Sequence, residues 1–167
     1  IAAMARKIGE IEAMTDDDCT FSVGVINGGQ WVNCVSSECT AQALTMAKTQ
    51  EDLDRGIAGM MALMDKGDSV QFEVTRGVTR PVWKPNQPGT MMLYEMAHDI
   101  AKDLGFNLSA ASSGGGSDGN FTGYLGIPTL DSIGVRGAGL HTLNEHIEVD
   151  SLVERARLIA SMLVRLS

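Results

Sequence analysis

The chain has 167 residues, of which 44% are hydrophobic and 20% charged, and its formal net charge is −8. That composition suits a soluble globular core in one domain or two small ones and excludes an intrinsically disordered chain. The acidic balance repels phosphate backbones, which excludes nucleic acid as a partner, and no apolar run approaches the ~18 residues needed to cross a membrane.

The chain opens on Ile rather than Met, and IAAMARKIGEIEAM reads as a helix already under way, with Ile1, Met4, Ile8 and Ile11 on one face. It carries neither the apolar h-region nor the small-residue cleavage pattern of a signal peptide, so a fragment or a processed chain is expected. After the polar break TDDDC, residues Thr20 to Ile26 alternate, with Phe21, Val23 and Val25 on one face of a half-buried strand. Asn27-Gly28-Gly29 is a turn signal, because Asn and Gly tolerate positive φ, and a second strand is expected between Trp31 and Met46, broken near Ser36-Ser37. Thr49-Gln50-Glu51-Asp52 resembles a capping box that opens a helix bearing Leu53, Ile57, Met60 and Met64 on one face, with Gly56 and Gly59 weakening it. Ser69 to Arg76 is the cleanest alternation, with Val70, Phe72 and Val74 opposite Gln71, Glu73 and Thr75.

Helix, strand, strand, helix, strand is the pattern of an α+β sandwich, here a ferredoxin-like unit lacking its first strand. The proline-bearing stretch from Gly77 to Gly89 marks the boundary, giving units 1–77 and 78–167. Beyond it a helix is expected from about Thr90 to Leu104, ended by Gly105. A glycine loop, a short helix, a strand near Pro128 to Ile133 and a loop from Gly134 to Ile147 follow. Asp150 is placed to cap a last helix whose apolar face is Leu152, Ala156, Ile159, Leu163 and Leu166. The second unit is thus an α/β layer with too few strands for a complete doubly wound sheet. Three cysteines (Cys19, Cys34 and Cys39) without a C-x-x-C pair read as reduced thiols, which fits a cytoplasmic protein.

Two loops could carry chemistry. In Ser112-Ser113-Gly114-Gly115-Gly116-Ser117-Asp118-Gly119-Asn120, successive glycines let backbone amides converge on an anion, although such a run alone also reads as a flexible linker. In Gly137-Ala138-Gly139-Leu140-His141-Thr142-Leu143-Asn144-Glu145-His146, a histidine sits on a glycine-framed loop with a carboxylate nearby to orient it. His146-Ile147-Glu148 reads as a surface turn before the last helix.

Gly-Gly-Gly-Ser-Asp followed by Gly-x-Gly-x-His-x-x-x-Glu resembles the carboxy-terminal signature of the metallopeptidase 20 family of glutamate carboxypeptidases, aminoacylases and desuccinylases. Gly28-Gly29-Gln30-Trp31-Val32-Asn33-Cys34-Val35 resembles the hairpin of that family's lid, or dimerisation, domain, and Thr79-Arg80-Pro81 the return to the catalytic domain. The resemblance implies a partial lid joined to the carboxy-terminal part of an α/β zinc-peptidase catalytic domain. It implies His141 as a zinc ligand, with Glu145 as the acidic residue following it. Gly115, Gly116, Ser117 and Asp118 line the substrate's carboxylate side, and Arg80 grips that carboxylate with its planar fork. Asn33 reaches an active site, that of the second subunit in dimeric members.

The implied activity is hydrolysis of an amide bond beside a free carboxylate in a small peptide or N-acyl amino acid, with two zinc ions per complete site and a homodimer formed through the lid. Ser36 stands where the family's hairpin has proline, and Leu44-Thr45-Met46-Ala47 lacks an arginine frequent in the family. The chain has no Glu-Glu dipeptide and no His-x-Asp triplet, so a general base is missing and the piece alone is expected to be inactive. A non-catalytic dimerisation or interaction module is the alternative.

Overall fold

The computed structural model describes residues 1–66 and 69–167, which fall into two compact units, residues 1–82 with 114–116 and residues 83–113 with 117–167. Among the described residues no helix is long and apolar enough to cross a membrane.

In the first unit, helix α1 (Ala2–Glu12) precedes an antiparallel pair, β1 (Cys19–Gly28) and β2 (Cys39–Ala47), with Cys19 opposite Ala47 and Gly28 opposite Cys39. Helix α2 (Gln50–Ala62) follows, then the two-residue pairing of β3 (Asp65–Lys66) with β4 (Gln71–Phe72). Its core is Ile11, Cys19 and Phe21, flanked by Met14, Val23, Ala47, Met60 and Leu63. Thr49 caps α2 as its sequence predicts, its hydroxyl accepting from the Asp52 amide at 3.1 Å. Gly56 has a use that its low helix propensity hides. A Cβ there would lie 2.7 Å from the Cys19 sulfur and 2.9 Å from Thr45 Cγ2, so the bare backbone lets α2 settle against the strand pair.

Three sequence expectations change. Asn27 and Gly28 are not a tight turn but the end of β1, opposite Thr40 and Cys39; the chain departs at Gly29, with φ at 82°, and β2 begins only at Cys39. Between them lie the turn closed by the Cys34 amide on the Trp31 carbonyl and a bond from the Ser36 hydroxyl to the Glu38 carbonyl, local partners that compete with a ladder. The alternation of β1 holds for Cys19, Phe21 and Val23 but not for Val25, which is 43% exposed, because a bulge at Gly24 shifts the register between Val23 and Val25. Finally, Ser69 to Arg76 forms a strand only at Gln71–Phe72. Phe72 and Val74 are half-buried and Gln71, Glu73 and Thr75 exposed as predicted, but Val70, expected on the inward face, is exposed. A ladder also needs a partner, and among the described residues none pairs with 73–76.

In the second unit, α3 (Pro88–Asp103) packs against α5 (Ser151–Leu166). Pro88 stands in the first turn, where its missing N–H is harmless, and Gly105 takes a φ of 88° after the last turn. The core is Ala97, Ile100, Ala101, Leu158 and Met162, bordered by Met96, Phe106, Leu108, Leu130 and Ile133. Between the two helices come α4 (Gly119–Tyr124) and the paired β5 (Gly137–Ala138) and β6 (His146–Ile147). Residues 128–133 form no strand among the described residues; Leu130 and Ile133 instead pack from an irregular segment. The buried stripe of α5 is Ser151, Arg155, Leu158 and Met162, whereas Leu152, Ile159, Leu163 and Leu166 are 45%, 37%, 64% and 53% exposed. The helix carries apolar residues on two faces, and α3 covers one of them. Asp150 precedes the helix without a side-chain cap; the Ser151 hydroxyl bonds the Glu148 carbonyl instead.

Two glycines in helices give opposite predictions. Gly9, on exposed α1, has open space beside it, so Gly9→Ala should stabilise the first unit by about 0.5–1 kcal/mol. Gly56→Ala should destabilise it by about 1–3 kcal/mol despite the better propensity, because the buried Cys19 sulfur cannot retreat. Urea midpoints of the two variants should therefore move in opposite directions.

A second prediction concerns acid. Asp16 accepts from Arg55 Nη1 at 2.9 Å and from the amides of Asp18 and Cys19 at 2.9 and 2.7 Å. The Arg55 guanidinium first, then those amides, lower its pKa from 3.8 to about 2. The folded value is depressed, so its contribution is complete above the unfolded pKa and disappears as the pH falls through about 2. Urea unfolding between pH 5 and 2 (~ values spanning that titration) should show a stability loss that Asp16→Asn flattens.

Candidate functional site

The glycine loop belongs half to each unit. In the first, Arg80 and Gly116 lie side by side: a Cβ on Gly116 would meet Arg80 Cδ at 3.0 Å, so the missing side chain leaves room for the arginine stem. Gly115, Gly116 and the Arg80 side chain are all exposed. In the second unit, the Ser117 amide donates to Asn120 Oδ1 at 2.8 Å and the Gly119 amide to the Ser117 hydroxyl at 3.1 Å. Those two amides are thus engaged within the loop, on the side that leads into α4. Asp118 stands exposed immediately before α4, and the Phe121 amide closes the first turn on its carbonyl at 3.1 Å.

The histidine loop is tighter. Gly137 and Gly139 are both required by close backbone approach. A Cβ at Gly137 would collide with the His146 carbonyl, and one at Gly139, whose φ is 73°, would lie 2.7 Å from the Asn144 carbonyl. His141 follows with a φ of 63°, a left-handed conformation that costs a side-chain-bearing residue of the order of 1–2 kcal/mol. Its amide donates to Glu145 Oε2 at 3.1 Å, so Glu145 fixes the histidine through the backbone rather than through the ring. The Thr142 amide and hydroxyl both reach the Gly139 carbonyl, at 3.0 and 2.7 Å, and the Glu145 amide reaches the Thr142 carbonyl at 3.2 Å. His146-Ile147, expected to be a surface turn, is β6.

Asn33 lies on the exposed turn of the first unit, where its Oδ1 is 3.8 Å from the Cys34 sulfur. Trp31, Val32 and Val35 around it are 71%, 106% and 99% exposed.

The motif residues thus gather into two local clusters, Arg80 with Gly116 in the first unit and His141 with Glu145 in the second. The model of the peptidase family M20/M25/M40 matches residues 3–165. The chain belongs to this family. It is 28% identical over 165 residues to the succinyl-diaminopimelate desuccinylase of Psychrobacter sp. (strain PRwf-1), covering 88% of this chain and 37% of that protein. It is 24% identical over 155 residues to the carboxypeptidase G2 of Pseudomonas sp. (strain RS-16), covering 87% and 36%. The crystal structure of a tripeptidase from Staphylococcus aureus superposes with a TM-score of 0.69 at 26% identity, over 96% of this chain and 43% of that one. The chain therefore spans about two-fifths of the length of the curated relatives it matches.

For this M20/M25/M40 chain the metal question has a geometric answer. Among the described residues no three His, Cys, Asp or Glu side chains come together as a metal-binding group. A zinc site needs about three protein ligands even when catalytic and open, so the residues present do not by themselves fit a metal ion. His141 could supply one ligand and no more.

Sequence reading missed the residues that hold the histidine loop in place. Arg136 Nε donates to Glu148 at 2.8 Å and its Nη1 to Glu154, while the Arg136 amide donates to the Ser151 hydroxyl at 2.9 Å. The Glu148 carboxylate, foremost, raises the Arg136 pKa above its ordinary value. These partners stand too far apart in sequence to form a local pattern; the one visible signal is an arginine immediately before Gly-x-Gly.

Proposed function

We propose that this chain works as part of a zinc-dependent amidohydrolase that cleaves an amide bond beside a free carboxylate, in a small peptide or an N-acyl amino acid. The observation that carries the reading is the family match over residues 3–165 coinciding with the strained, glycine-framed His141 of the second unit. The names of the relatives agree in class: a desuccinylase, a carboxypeptidase and a tripeptidase all cut amide bonds. In this reading residues 1–77 are the ferredoxin-like lid, and Arg80, beside Gly116 and with Gly115 next along the chain, takes the substrate carboxylate in a two-pronged hydrogen bond. Ser117 and Asp118 are the next two residues of the same motif and are assigned to the substrate's carboxylate side with it. His141 offers an imidazole to zinc, with Glu145 fixing its backbone. Asn33 donates to the carbonyl under attack, where a preorganised donor stabilises the developing oxyanion. The exposed Trp31, Val32 and Val35 around Asn33 favour a homodimer in which this turn is covered by a second subunit.

The 167-residue chain alone should hold no stoichiometric zinc and should not hydrolyse N-acyl amino acids or tripeptides. Joined to the segments that supply the remaining ligands and the general base, it should do both. There, Arg80→Lys should raise KM about tenfold or more with a smaller change in kcat, because lysine lacks the planar fork. Light scattering on the same samples reads the dimer. Turnover by the isolated chain overturns the reading.

A further inference from the structure

Among the described residues, the loop that carries His141 has no buried apolar side chain of its own. Every residue from Thr142 to Asp150 is exposed, Leu140 and Leu143 are 73% and 105% exposed, and the β5–β6 pairing that closes the loop is only two residues long. A short pairing of this kind is marginal by itself. Yet His141 keeps a left-handed backbone, which persists only where the surroundings over-determine it. The constraint enters at the stem. There the Glu148 amide donates to the Arg136 carbonyl at 2.8 Å, the Arg136 amide to the Ser151 hydroxyl at 2.9 Å, and that hydroxyl to the Glu148 carbonyl at 2.6 Å. The Arg136 side chain then spans Glu148, on the loop stem, and Glu154, on the first turn of α5. Glu154 is shared with Arg155, whose Nε is 3.5 Å away and whose guanidinium lies 5.2 Å from the Phe106 ring. Ser151 is fully buried, so one end of the chain of hydrogen bonds rests in the packed part of the unit, while Arg155, 8% exposed, meets Glu154 as an ion pair and not through a hydrogen bond.

We propose that Arg136 is the positioning residue for His141: it ties both stems of the histidine loop to the first turn of α5 and so carries the rigidity of the helix pair to a loop whose own bonds, from Glu145 to the His141 amide and from Thr142 to Gly139, are internal. One guanidinium serves two carboxylates, a task for a fork of donors rather than for a single ammonium. Arg136 touches neither substrate nor any reacting atom; it acts through the loop. Its functional meaning rests on the reading of His141 given above, but its test contains no metal and no substrate, so failure of the hydrolase reading shows in the turnover measurement and not here.

The 167-residue chain is labelled with 15N, and amide exchange is compared for Arg136→Gln, Arg136→Lys and the unaltered protein. In Arg136→Gln the amides of His141, Thr142, Glu145 and Glu148 should exchange about tenfold faster, as expected when a local unit loses its tether. The His141 amide signal should move toward its position in an unstructured peptide, and amides within α3 and the later turns of α5 should be unchanged. Arg136→Lys, which keeps one carboxylate partner, should restore part of the protection. Unchanged loop exchange in Arg136→Gln overturns the proposal, and so does a rise spread equally over α3 and α5, which would make Arg136 a general stabiliser of the unit. A glutamine variant too unstable to assign is replaced by Glu154→Gln, which keeps Arg136 and should loosen the same loop amides selectively; equal protection there also overturns it.

Discussion

Leu158 and Met162 seat α5 on Ala97, Ile100 and Ala101 of α3, and the ordered part of the second unit depends on that contact. Burying a leucine or methionine side chain is worth about 1.5–3 kcal/mol. The two alanines of α3 are small enough to let the helices approach closely. Ser151 and Arg155 share the buried stripe with Leu158 and Met162, so the polar groups that tie down the histidine loop are held by the same packing. Apolar burial sets the position of the helix, and hydrogen bonds then transmit that position outward to a loop with no burial of its own.

That division explains why the ion pairs of this chain are better understood as geometry than as stability. Arg136 is 41% exposed and Glu148 55%, and exposed pairs contribute about 0–1 kcal/mol each. The bonds nevertheless select one arrangement of the stem, because two carboxylates, a hydroxyl and a main-chain amide all converge on Arg136. The first unit uses the same device at its own turn, where Asp16 gathers Arg55 and two amides so that β1 begins with Cys19 in the core.

Much of this was legible in the sequence, and the failures have a common cause. The helices were legible because periodicity and caps are local: Thr49 on α2 and Gly105 after α3 stand as expected, whereas Pro88, read as part of the boundary stretch, opens α3. The alternation of Phe72 and Val74 named the inward side correctly, yet a strand is a property of two segments, and only Gln71–Phe72 has a partner among the described residues. On α5 the periodicity named the stripe of Leu152, Ile159, Leu163 and Leu166, which is exposed, and missed the one that α3, distant in sequence, covers. The motif residues were found by resemblance, but the stem that holds His141 was not. A hydrogen-bond network joining Arg136, Glu148, Ser151 and Glu154 follows no sequence period.

The glycines show how one residue type answers to different constraints. Gly56 is bare so that a helix can meet a buried sulfur, whereas Gly137 and Gly139 are bare so that a loop can fold back on its own carbonyls. The first serves packing, and its absence would cost stability. The others serve placement: they turn the backbone until His141 occupies a conformation that its own side chain disfavours and Glu145 can catch its amide. Strain of that kind is kept where a side chain must point in one direction. An exposed histidine on a loop without a core would otherwise have no reason to hold a left-handed backbone. Asn86 and Ser132 take the same left-handed backbone, so the angle marks a local constraint that the loop's glycines and Glu145 hold in place.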